Sequence, residues 1–159
     1  MPRRPRIWIP FYKTGTLATT SLSQSDMLTT NFETETGRNP RGITIERIIG
    51  DLAIRSQTVS NSVQRFQVGI GVESQHIDTD DWPDLETATG RWMWQKMIFF
   101  TGVAHDSTTA SDQRPLFYQP IDIATMRKVD GESKLWMFFN NKAAITVEYA
   151  VHVRILCVL

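Results

Sequence analysis

The sequence predicts an all-β domain, an antiparallel β-sandwich or jelly roll, behind a short extended arm. Three observations support this fold class. Apolar and polar residues alternate over several runs, the longest at residues 143–158. Polar loops and short turns separate these runs, and no segment has the periodicity of a long helix. Finally, 159 residues suffice for one domain with its own hydrophobic core.

Two runs show the alternation of a half-buried strand most clearly. In residues 63–73, hydrophobic side chains share one face, and the opposite face carries Gln67, Gly69 and Gly71. Glycines inside a strand mark a close approach of another chain segment. In residues 143–158, seven residues share one face: Ile145, Val147, Tyr149, Val151, Val153, Ile155 and Cys157.

The other strands follow from weaker patterns. The hydrophobic parity of residues 42–56 switches near Arg47, which predicts a β-bulge or a strand that changes sheets. Residues 91–101 are apolar on both faces, so we expect them to be covered on both sides. Pro120 interrupts residues 116–123, where we expect only a short strand.

The connections give further expectations. Asn140 and Asn141 separate the last two runs by so few residues that we expect a hairpin there. Asp130-Gly131 marks a turn before the preceding run. Residues 25–32 have room for one helical turn, with Ser25 or Asp26 as its cap.

Three regions are expected along the chain: an extended basic and apolar arm at 1–12, a Thr/Ser-rich lead-in at 13–41, and the sandwich domain at 42–159. Two prolines keep the start of the arm extended, and Pro10 makes residues 7–12 an edge strand or a docked arm. We expect this apolar part to mediate assembly through Ile7, Trp8, Ile9, Phe11 and Tyr12.

Charge is unevenly distributed although the formal net charge is zero. Arg3, Arg4 and Arg6 fall within the first six residues, and the remaining 14 basic residues face 17 acidic ones. Three arginines can neutralise phosphates independently of sequence, or they can pair with a neighbouring subunit. They are few for condensing a genome, so we favour the assembly role.

The sequence offers no catalytic constellation, so we expect no enzyme and no cofactor. The histidines have no metal-site spacing, and the adjacent His105, Asp106 and Ser107 cannot adopt triad geometry. An acidic stretch at 73–86 is expected to be a solvated loop, with Asp78, Asp80 and Asp81 as calcium candidates. No apolar stretch is long enough for a transmembrane helix.

Several segments together resemble one family. They are MPRRPRIW, RGITIERIIGDLAIR, RFQVGIGVES, RWMWQKMIFF and MRKVDGESKLWMFFNN, followed by the long alternating strand. Their order resembles the single jelly-roll coat proteins of uncultivated small DNA viruses and phages. The resemblance implies a capsid protein of the virion whose many identical copies form a shell, with genomic nucleic acid as a partner of the arm and no membrane.

Two alternatives remain open at this stage. A minor virion protein, such as a decoration, penton or tail protein, would share the fold and the arm but differ in copy number. A carbohydrate-binding β-sandwich would stack sugars on Trp82 beside the acidic residues.

Overall fold

The computed structural model describes residues 3–57, 60–73, 92–102, 116–130 and 133–159. These residues form eight strands and one helix. In chain order the elements are β1 (Arg6–Leu17), β2 (Leu22–Asp26), α1 (Thr29–Thr36), β3 (Ile43–Ser56), β4 (Ser60–Glu73), β5 (Trp92–Gly102), β6 (Phe117–Val129), β7 (Lys134–Asn141) and β8 (Val147–Val158). No helix in the described part has the length and hydropathy to cross a bilayer.

The strands form two antiparallel four-stranded sheets, sheet A in the order β1-β8-β3-β6 and sheet B in the order β2-β7-β4-β5. Strand β1 pairs with β8, β2 with β7, β3 with β6, and β4 with β5. The first four strands therefore pair with the last four in reverse order, as in a long antiparallel hairpin folded into two sheets. This winding is the single jelly roll, which confirms the predicted fold class.

Strand β8 lies inside sheet A, between β1 and β3, and its burial follows the predicted alternation. The odd-numbered residues from Val147 to Cys157 are buried between the sheets, and the even-numbered ones lie on the outer face. Sheet B contributes Phe66, Phe139 and Met137 to the same core. The Phe139 and Tyr149 rings, from opposite sheets, lie 4.5 Å apart between centroids.

Strand β3 carries the predicted bulge. Its register shifts between Ile45 and Arg47 against both neighbouring strands, and afterwards the even-numbered residues point inward. Three residues after Arg47, Gly50 lies close to β8: a Cβ there would be 2.0 Å from the His152 carbonyl oxygen. Only glycine allows the backbones to approach this closely.

The first residues form an edge strand, one of the two arrangements expected for residues 7–12. Residues 6–17 form β1, which pairs with β8 along its whole length, and Ile9 and Phe11 are buried in the core. The boundaries expected at 12/13 and 41/42 therefore do not separate structural units, because β1, β2 and α1 complete the sandwich. Pro10 is tolerated because β1 is an edge strand, as the sequence indicated.

The expected hairpin at Asn140 and Asn141 is wrong. Strand β7 ends in sheet B and β8 begins in sheet A, so their connection crosses between the sheets. The fully buried Asn141 amide stabilises this crossing. It donates to the carbonyl oxygens of Leu17, Ala18 and Ile145 at 2.9–3.0 Å, and its oxygen accepts from Ala143 N.

Two other strand expectations are corrected. Strand β6 continues through Pro120 to Val129, because β6 is the other edge of sheet A, where a missing donor breaks no inner ladder. Strand β5 is an edge of sheet B and is not covered on both faces, since the Phe99 side chain is 61% exposed.

The predicted helical turn lies slightly later than expected. Asp26 Oδ1 accepts hydrogen bonds from the backbone N–H groups of Leu28 (3.0 Å) and Thr29 (3.1 Å) just before α1. The helix ends at Gly37, which adopts the left-handed conformation.

The outer face of sheet B is partly closed by aromatic side chains. Phe138 is opposite Gly69 and Trp136 is opposite Gly71 on the neighbouring strand β4. Both rings are buried although they point away from the core. The strand glycines therefore leave room for cross-strand aromatic rings, in agreement with the close approach expected from the sequence.

Candidate nucleic-acid interface

Basic residues distant in sequence meet at one end of sheet A. One row across this sheet joins Arg6, Val158, Thr44 and Lys128 on its four strands. Four strands at the usual spacing put the two ends of the row about 14 Å apart. We call the cations beside this row the basic end: Arg3, Arg4, Arg6, Arg41, Arg127 and Lys128.

Arg41 belongs to this end because of a turn. The next residue, Gly42, donates its backbone N–H to the Val129 carbonyl oxygen at 2.7 Å, which places Arg41 beside the end of β6. The start of the chain is tied to the same end, because Leu159 N donates to the Pro5 carbonyl oxygen at 3.0 Å. The cations thus come from three separate segments of the chain.

Three of these arginines, Arg3, Arg4 and Arg6, line an open groove of about 510 Å³ at this end. Its lining consists of Arg3, Arg4, Arg6, Thr44, Glu46, Met126 and Val158. Glu46 is its single carboxylate, and that carboxylate is already paired with Arg6 at 2.9 Å. The groove therefore combines three guanidinium groups with the apolar side chains of Met126 and Val158.

Most of the positive charge at the basic end is not neutralised by the chain itself. Lys128 pairs with Asp130 at 3.0 Å, and Arg6 pairs with Glu46. Among the residues that the structure describes, Arg3, Arg4, Arg41 and Arg127 have no ion-pair partner. Exposed guanidinium groups without a carboxylate suit phosphate or an acidic surface.

A second feature extends from the basic end along the outer face of sheet A. On β1, Trp8, Pro10 and Tyr12 are exposed on this face. The Arg154 guanidinium lies 5.5 Å from the Trp8 ring centroid. The Tyr12 and His152 rings meet edge to face at 6.1 Å. We call Trp8, Tyr12, His152 and Arg154 together the aromatic row.

The predicted site residues fall into two groups. Arg3, Arg4 and Arg6 lie together in the groove. Of the expected assembly residues, Trp8 and Tyr12 are exposed, Ile7 is partly buried, and Ile9 and Phe11 are inside the core of their own subunit. The last two are therefore unavailable to a neighbouring subunit, because strand alternation turns them inward.

Two expectations concern residues that the structure does not describe. The calcium candidates Asp78, Asp80 and Asp81, and the sugar-stacking candidate Trp82, lie outside the described residues. Within the described ranges no group of His, Cys, Asp or Glu is arranged to hold a metal ion.

Sequence reasoning missed Arg41, Arg127 and Lys128 as companions of the arm. No local signal marks them, since the end of β6 comes beside the start of β3 only through the pairing of the two strands. Cys157, the single cysteine, is buried, and this burial raises the pKa of its thiol to about 12. The thiol is therefore neutral and a poor nucleophile.

No family model and no curated protein matches the sequence. Solved structures are similar in architecture. A full particle of Israeli acute paralysis virus shares 9% identity at a TM-score of 0.46, over 98% of this chain and 74% of the other. Desmodium yellow mottle tymovirus shares 12% at 0.43, over 100% and 91%.

An arabinose-bound α-L-arabinofuranosidase is also similar, with 12% identity and a TM-score of 0.44 over 94% of this chain and 23% of that enzyme. At such identities and TM-scores these likenesses carry no information on function. The function has to be argued from the surface of this chain.

Proposed function

We propose that this chain is a viral capsid (coat) protein whose copies assemble into a shell around a genome, with a structural role in the virion and no catalytic one. Jelly rolls occur in viral capsids but also in lectins and cupins. The fold therefore makes the proposal reasonable without deciding it, and the support comes from the surface.

The observation that carries the proposal is that large apolar side chains are exposed on opposite faces of the sandwich. Trp8, Tyr12 and Tyr118 lie on sheet A, and Val63 and Phe99 lie on the outer face of sheet B. Clustered apolar surface marks contact sites for partners or ligands. Apolar surface on both faces fits a subunit with neighbours on several sides.

The basic end supports the second half of the proposal. Its unpaired arginines can contact genome phosphates, with counterion release as the driving force, or an acidic patch on a neighbouring subunit. Trp8 and Tyr12 are the side chains of the N-terminal segment that are exposed, and so available to the genome or to a neighbour.

Light scattering with electron microscopy of the purified full chain tests the proposal. We expect megadalton particles of uniform diameter. Val63→Ser with Phe99→Ser should raise the concentration needed for assembly and leave the circular dichroism spectrum unchanged. Ala124→Ser, a small exposed substitution, is the matched control. A monomer at low and high salt, with and without nucleic acid, contradicts a capsid role, and a small closed ring alone indicates a minor virion protein instead.

A further inference from the structure

We infer that single-stranded nucleic acid lies along the outer face of sheet A, with phosphates at the basic end and bases stacked on the aromatic row. The inference deepens the proposed function and rests on it, because the ligand is then the enclosed genome.

The charges of this face favour a polyanion. Three of its carboxylates are each bound by an arginine: Glu46 by Arg6 at 2.9 Å, Asp122 by Arg47 at 2.9 Å, and Glu148 by Arg55 at 2.7 Å. The two inner strands of this sheet, β3 and β8, carry one further carboxylate among the described residues. This is Asp51, which is opposite His152 in the register. Among the described residues, no ion pair involves Arg3, Arg4 or Arg154. Unpaired cations on this face therefore outnumber unpaired carboxylates.

The aromatic side chains supply what phosphate contacts lack. Tyr12 is 66% exposed and Trp8 is 40% exposed, so both rings have area available for stacking. The Arg154 guanidinium, already against the Trp8 ring, adds a cation beside that stacking surface. Basic residues interleaved with exposed rings are typical of surfaces that bind single strands without sequence preference.

The geometry makes one continuous path. Every second residue of β1 projects from the same face of this strand: Arg6, Trp8, Pro10 and Tyr12. At about 3.3 Å per residue, the path from Arg6 to Tyr12 is about 20 Å long. Arg154 and His152 lie beside it on β8, opposite Pro10 and Tyr12 in the register. Cations and rings therefore alternate along one line.

A strand of exposed bases uses this surface better than the other candidates. The bases of a duplex are stacked on each other, so a duplex would meet only the cations. A neutral saccharide would use the rings but would gain nothing from the basic end. A single strand uses both, which is why we favour it.

Binding of fluorescent oligonucleotides to the full chain, below its assembly concentration, tests the inference. A single-stranded DNA 20-mer should bind more tightly than the duplex of the same length. Trp8→Ala and Tyr12→Ala should each weaken single-strand binding by roughly 5- to 100-fold and leave duplex binding unchanged. Trp8→Phe and Tyr12→Phe should restore most of the affinity. Phe99→Ala, which removes an equally exposed ring from sheet B, is the matched control and should have no effect.

The arginines have a separate signature. Arg3→Ala and Arg4→Ala should each reduce the slope of log affinity against log salt by about 0.7 for a single strand. Equal binding of single strand and duplex, or full affinity in the Trp8→Ala, Tyr12→Ala double variant, would overturn the inference. So would binding of a neutral oligosaccharide in preference to DNA.

Failure of the nucleic-acid inference and failure of the capsid proposal give different results. Particles that form normally from a chain with no affinity for nucleic acid would refute the inference and leave the shell intact. Stacking-dependent binding by a chain that never assembles would refute the capsid role and leave the nucleic-acid site.

Discussion

The outer faces of the two sheets follow the same alternation but differ in what covers them. On sheet A the outward residues of β1 and β8, such as Tyr12 and His152, are exposed. On sheet B the outward Phe138 and Trp136 are buried, over glycines of the next strand. Sheet A presents a polar, cationic and aromatic surface, whereas sheet B carries large aromatic side chains that point outward and are nevertheless buried.

This difference separates two meanings of an outward-facing residue. On sheet A it is part of the surface and is available to a ligand. On sheet B, at Phe138 and Trp136, it is a second layer of core. Substitutions of equal size should therefore change stability on one face and binding on the other.

The largest expected effect is the loss of unfolding free energy in Phe138→Ala, which is compared directly with Tyr12→Ala. Phe138 is fully buried, so its truncation should lower the free energy of unfolding by about 3–5 kcal/mol. Tyr12→Ala removes an exposed ring and should change the free energy of unfolding by less than about 0.5 kcal/mol. Urea denaturation measures both, and similar losses would show that the two faces do not differ.

Gly50→Ala should have the next largest effect and is specific to sheet A. The new methyl group would lie 2.0 Å from the His152 carbonyl oxygen, so β3 and β8 must move apart. We expect a loss of about 3 kcal/mol in the free energy of unfolding. Gly37→Ala is the control: it has no atom within 4 Å of the new methyl group and should cost about 1 kcal/mol because of its positive φ. Equal losses at the two glycines would contradict the close approach.

Asn141→Ala tests the crossing that connects the two sheets. The change leaves the carbonyl oxygens of Leu17 and Ile145 without their amide donor, and should cost about 2 kcal/mol of unfolding free energy. Asn140→Ala is the matched control, because among the described residues this neighbouring amide donates to the Gln67 side chain and to no backbone carbonyl. Thermal melts of both variants distinguish the roles, and a harmless Asn141→Ala would show that the crossing does not depend on this amide.

The smallest effect concerns an exposed ion pair on sheet A. Arg47 donates to both carboxylate oxygens of Asp122 at 2.9 Å, and mainly through these bonds lowers the pKa of that carboxyl. The stabilisation is complete above the unfolded-state pKa of about 3.9 and disappears as the pH falls through the lower folded-state value. Arg47→Ala should return the pKa of Asp122 toward its ordinary value in an NMR titration, and an unchanged pKa would refute the contribution of Arg47.

Several local features could be predicted because a strand pattern contains them. The alternation in residues 143–158 predicted which side chains of β8 face the core, and the parity switch near Arg47 predicted the bulge. Pro10 marked an edge strand for the same reason, since proline lacks the donor that an inner ladder needs.

Features that depend on sheet membership could not be predicted in this way. The short connection at Asn140 and Asn141 suggested a hairpin, but β7 and β8 belong to different sheets. The apolar run in β5 suggested double burial, but the strand lies at an edge. A short loop and an apolar strand are compatible with either arrangement, and only packing of the complete sandwich distinguishes them.

The sequence by itself determined the all-β class, the inward and outward faces of each strong strand, and the arginines at the start. The tertiary structure alone decided that Arg41, Arg127 and Lys128 join those arginines, and that Trp8 and Tyr12 share a face with Arg154. Alternation and proline act within a few residues and are therefore visible in a linear sequence. The basic end and the aromatic row need residues more than 80 positions apart to become cross-strand neighbours, as Thr44 does with Lys128 and Pro10 with Arg154.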